Sequence, residues 1–66
     1  MAMREYIRAE VPVKVGDTDI DVRHKAIQAM RAKGADVIRE LTELGPVRRK
    51  DGVRIRRFRA SAVRAA

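Results

Sequence analysis

The sequence predicts an α+β fold: a small β-α-β-β domain in which one amphipathic helix packs on a three-stranded, mostly antiparallel sheet. Three observations lead there. Residues 3–15 alternate apolar and polar side chains with a period of two. From Ile27 onward, apolar residues recur at helical spacing. Near the end, Lys50-Asp51-Gly52 separates two short, β-branched, Arg-rich runs.

The first strand is the plainest element. Met3, Ile7, Ala9, Val11, Val13 and Val15 fall on one face, and Arg4, Tyr6, Arg8, Glu10, Pro12 and Lys14 fall on the other. Strict alternation of this kind marks a half-buried strand. Glu5 alone breaks the apolar register. Pro12 has no N–H to give to a ladder, so the strand must lie at a sheet edge or carry a bulge there. Met1 and Ala2 precede the pattern.

Gly16-Asp17-Thr18-Asp19 forms a turn that opens a helix. Thr18 or Asp19 can act as the N-cap, and Asp21, three residues after Thr18, completes a box-like arrangement. Carboxylates here also suit the positive end of the helix dipole. Ile20, Ile27, Met30, Gly34, Val37, Leu41 and Leu44 mark one stripe, so a single helix is expected to run through Gly34 as far as Leu44 and stop at Gly45-Pro46. The alternative is a break at Lys33-Gly34-Ala35.

Residues 47–59 read as a hairpin. A three-residue loop with Gly52 in the left-handed position would gather Val47, Val53 and Ile55 on one face and leave Arg48, Arg54 and Arg56 on the other. Phe58 is out of phase with Ile55, which suggests a bulge near Arg56-Arg57 or the strand's end. The domain is expected to span residues 1–59, with 60–66 as a flexible tail. A 66-residue chain has a thin core, and dimerisation through an edge strand or the helix stripe is the usual remedy at this size. The expected state is a homodimer.

Charge is the best clue to function. Residues 1–45 hold eight cations and eight anions, whereas residues 46–66 hold eight cations and one anion, Asp51. The net +7 therefore comes from the last third of the chain. Arg outnumbers Lys 12 to 4, and Asn is absent, as a GC-rich genome would produce. Such a bias explains many arginines but not their crowding. Arg48, Arg49, Lys50, Arg54, Arg56, Arg57 and Arg59 place seven cations within twelve residues.

Arg grips phosphate with a planar fork and stacks on bases, and a two-stranded ribbon can enter a nucleic-acid groove. Arg4, Arg8 and Lys14 on the first strand's polar face would extend a basic platform, with Tyr6 or Phe58 as a stacking ring. DNA or RNA is thus the expected partner, and an acidic protein partner is the alternative. A third reading treats the charge run as a solvated face that protects strand edges and keeps the chain soluble.

Chemistry is poorly represented. There is no Cys, which removes disulfides, thiolate nucleophiles and Cys-based metal sites. Asp17, Asp19 and Asp21 alternate like the start of a calcium loop, but Val22 and Gln28 occupy the places of its Gly and its final acid. His24 is the lone histidine and Ser61 the lone serine, far apart in sequence. Glu40 and Glu43, one helical turn apart beside Arg39, read as a solvated face. No catalytic residue, metal site or cofactor is expected, and the chain is read as a non-enzyme. No apolar run approaches the ~18 residues of a membrane span, and the N-terminus lacks a signal peptide's apolar core. A cytoplasmic protein with no membrane association is expected.

The stretch VIRELTELGPVRRKDGVRIRRFR, residues 37–59, resembles the recognition helix and wing of winged-helix DNA-binding domains. In those domains, a helix ending in Leu-x-x-Leu-Gly leads into an Arg-rich hairpin with Asp-Gly at its tip. The resemblance implies an alternative fold, winged-helix-like, with Arg39 on the helix and Arg48, Arg49, Arg54 and Arg56 on the wing as DNA contacts. It covers about a third of the chain, and a winged helix has three helices where residues 3–15 here read as a strand. The ribbon-helix-helix dimer also begins with a strand followed by helices, but its charge lies on that first strand.

Overall fold

The computed structural model of the protein describes residues 4–64. Met3, the first residue of the expected strand, and Ala65–Ala66 of the expected tail lie outside them. Four elements follow one another: β1 (Arg4–Val13), α1 (Asp19–Ala32), β2 (Ala35–Lys50) and β3 (Val53–Arg64). β3 is the central strand, antiparallel to β1 on one side and to β2 on the other. The helix covers one face of the sheet, as the sequence predicts.

β1 forms as its alternation requires. Ile7, Ala9 and Val11 are buried against the helix, and Val13 packs beside them. Glu5, the residue out of register, lies on the same side and pairs with Arg64. Pro12 belongs to an edge strand, the position in a sheet where a proline is tolerated.

The helix begins where the sequence places it. Thr18 is the N-cap: its hydroxyl accepts from Asp21 N, while Asp21 Oδ2 accepts from Thr18 N, closing a capping box. Its end is different. α1 stops at Ala32, with Lys33 as cap and Gly34 at φ +102°. Gly34 is thus the left-handed residue that ends the helix, and residues 35–44 leave it as a strand. The buried stripe is also rotated: Val22, Ala26 and Met30 face the sheet, with Ala29 beside them, while Ile20 is 78% exposed. Alanines, which carry little hydrophobic signal in a sequence, form much of the contact.

β2 hides its strand character behind three irregularities. One extra residue is inserted between Ala35 and Val37, one between Arg39 and Thr42, and two between Leu44 and Arg48. Glu40, at φ 56°, occupies the second of these, and the cis Gly45-Pro46 pair falls within the third. Ala35, Ile38 and Leu41 all reach the core side because each bulge shifts the alternation by one. Their spacing of three imitates a helix. The winged-helix resemblance fails at this point, because its recognition helix would be residues 37–44.

The hairpin turn is shorter than expected. Lys50 pairs with Val53, leaving a two-residue Asp51-Gly52 loop with φ 53° and 77°, the primed geometry that follows strand twist. Val47, Val53 and Ile55 therefore do not form a core face; Val53 is 40% exposed. β3 has no bulge at Arg56-Arg57. Ile55 and Phe58 simply point to opposite faces, and Phe58 is the largest fully buried side chain. β3 also continues through the expected tail to Arg64, burying Ala60, Ser61 and Ala62.

Candidate nucleic-acid interface

Strand pairing sorts the cations onto two faces, because residues opposite one another across an antiparallel sheet project to the same side. The helix side receives Arg54 and Arg56 from β3, together with Arg49, which pairs with Arg54. The open side receives rows across the three strands. Arg4, Val63 and Val37 form the first; Tyr6, Ser61 and Arg39 the second; Arg8, Arg59 and Thr42 the third. Glu10, Arg57 and Leu44 follow, then Pro12, Ile55 and Arg48, and finally Val53 with Lys50. Arg54 and Arg56, expected to share an outer face with Arg48, therefore lie on the opposite side from it. Arg39 joins the open face, although the expected helix would have placed it elsewhere.

On the helix side Arg56 is occupied, while Arg49 and Arg54 are exposed near the turn and join no ion pair among the described residues. Arg56 Nε and Nη2 grip Glu43 at 2.9 and 2.5 Å, and Nη2 also reaches Asp19 at 2.6 Å. The side chain is only 15% exposed, and its guanidinium lies 5.4 Å from the Phe58 ring centre. These bonds tie the start of the helix to the two hairpin strands and hold the Glu43 and Asp19 carboxyls below their usual range, through Arg56 first in each case. The same contacts raise the Arg56 pKa. Arg23 pairs with Asp19, Lys25 with Asp17 and Arg64 with Glu5. Asp17 also accepts from Lys14 N, the leading cause of its lowered pKa. The three alternating aspartates thus serve the turn, the cap and these ion pairs.

On the open side the cations lack carboxylate partners: among the described residues, none of Arg4, Arg8, Arg39, Arg48, Lys50, Arg57 and Arg59 joins an ion pair. Glu10 is the one carboxylate in the rows. Tyr6 is 71% exposed, and the Arg59 guanidinium lies 4.9 Å from its ring centre, a cation–π stack between neighbouring rows. Arg57 is partly buried and donates weakly to the Gly45 carbonyl at 3.4 Å, across the large irregularity in β2.

Other chemistry is dispersed. Ser61 is buried on the open side of β3, while His24 is exposed on the helix beyond the sheet. A shallow depression between β1 and the helix is lined by Arg8, Ala9, Glu10, Ala29 and Lys33, and Lys33 Nζ there donates to the Arg8 carbonyl at 2.7 Å. Among the described residues, no group of three His, Asp or Glu side chains is placed to hold a metal ion, and no helix is long and apolar enough to cross a membrane. Compared with known protein families, with curated proteins and with solved structures, the chain matches none.

Proposed function

We propose that this protein is a nucleic-acid-binding protein rather than an enzyme, and that it contacts phosphates through the open face of its sheet. The observation that carries this reading is the segregation of charge. On the helix side carboxylates hold Arg56 and Arg64, leaving Arg49 and Arg54 unpaired near the turn, while among the described residues none of the seven cations on the open side has a carboxylate partner. Arginines without acidic partners on one face attract a polyanion and release its counterions on binding. Arg48, Arg57, Arg59, Lys50, Arg4 and Arg8 would neutralise phosphates, with Tyr6 as a stacking surface. Arg56 is removed from the contact set by its bonds to Glu43 and Asp19.

The test is fluorescence anisotropy with labelled DNA and RNA at two salt concentrations. Affinity should fall steeply with salt, and the double variant Arg48→Ala with Lys50→Ala should bind more weakly across all sequences. Unchanged affinity in that variant would defeat the reading.

A second reading is docking on an acidic partner protein. It is favoured by the two outer edges of the sheet, β1 and β2, either of which could accept a further strand. A homodimer formed through one of these edges belongs to both readings and is checked by sedimentation equilibrium.

A further inference from the structure

We infer that the ligand of the open face is a single strand laid along the sheet, not a duplex gripped by the hairpin. The inference rests on the nucleic-acid reading above and narrows it.

A hairpin that enters a duplex groove must stand clear of its sheet as a two-stranded ribbon. Here β1 accompanies β3 as far as the pairing of Val13 with Arg54. Only Lys50, Val53 and the Asp51-Gly52 turn extend beyond the third strand. No ribbon is free to enter a groove.

The open face has what a single strand needs. Every row from Arg4 at one end to Lys50 at the other holds at least one cation. Successive rows are two residues apart, about 6.7 Å along the strands, which is close to the length of one nucleotide in an extended chain. Six rows thus form a ladder matched to a short extended strand. Tyr6, stacked with Arg59, offers a flat surface for an unpaired base. Val37 and Val53, exposed on the same face, offer contacts indifferent to sequence. In a duplex, bases are paired and stacked inside, so the tyrosine and the valines would have nothing to meet.

The experiment compares oligo-dT and oligo-rU of three to twelve nucleotides with a mixed-sequence DNA duplex and an RNA duplex, all by anisotropy in low salt. Single strands should bind at least tenfold more tightly than either duplex, with affinity rising to about six nucleotides and then levelling. Tyr6→Ala should weaken single-strand binding about tenfold. Arg49→Ala with Arg54→Ala, on the helix side, should change it less than twofold. Tyr6, Arg49 and Arg54 are all exposed, so these variants should fold, and their melting curves check that they do. The preference between dT and rU identifies the sugar. Duplex binding equal to or tighter than single-strand binding, with Arg49 and Arg54 contributing, would overturn this inference and leave the phosphate-binding reading intact. No binding of any nucleic acid would overturn both.

Discussion

The open face of the sheet carries seven cations and the helix side four, and Arg56 among the four is used in the opposite way from those of the open face. On the helix side, Arg56 is shielded from water, bonded to two carboxylates and packed on Phe58. On the open side, Arg4, Arg8, Arg39, Arg48 and Arg59 are exposed and have no acidic partner among the described residues. The same side chain is part of the fold in one place and an unfilled binding group in the other. What separates them is the helix. It brings Asp19 within reach of β3, and its burial of the neighbouring surface makes an unpaired charge there costly.

This contrast can be broken most severely from the covered face. Phe58→Ala removes the largest buried side chain and should cost about 3–5 kcal/mol. In a domain this small, that should leave the chain largely unfolded in a urea titration. Arg56→Ala comes next, removing three hydrogen bonds and the contact with Phe58; a loss of about 1–2 kcal/mol is expected. Its pH signature sharpens the comparison. Glu43 and Asp19 have folded pKa values below their unfolded ones. Their contribution is therefore complete above the unfolded carboxylate range and disappears as pH falls through the lower folded values. The melting temperature should hold between pH 7 and 5 and decline below about pH 4, and Arg56→Ala should flatten that decline.

Gly34→Ala tests the turn that divides helix from strand. A Cβ at Gly34 would meet nothing closer than Arg64 at 3.8 Å, so the penalty is the φ of +102° itself. About 1–2 kcal/mol is expected in thermal melts. The smallest effect on stability belongs to the open face. Arg39→Ala should change it by no more than about 0.5 kcal/mol, while lowering the salt slope of single-strand binding by about 0.7. A large stability loss in Arg39→Ala would show that the open face also supports the fold.

Much of this architecture was legible in local sequence. The alternation of β1, the Thr18–Asp21 box, the edge position implied by Pro12 and the presence of a hairpin around Lys50-Asp51-Gly52 are short-range patterns whose physics acts within a few residues. The concentration of charge after Gly45 was equally plain. What local pattern could not show was its partition. Assigning Arg54 and Arg56 to the outer face depended on a three-residue loop, and shortening the loop by one residue reverses the faces.

The sequence alone determined that a strand, a helix and a hairpin exist, in that order, and that their charge is basic at one end. Tertiary structure decided where the helix stops and which arginines remain free. Residues 35–44 carry spacings that suit a helix, but Gly34 turns the chain back and β3 needs a partner on its second side. The bulges in β2 let Ala35, Ile38 and Leu41 reach the core at intervals of three. A strand interrupted in this way has no period of its own. Its identity comes from the neighbour it pairs with, and that neighbour lies across a hairpin rather than along the chain.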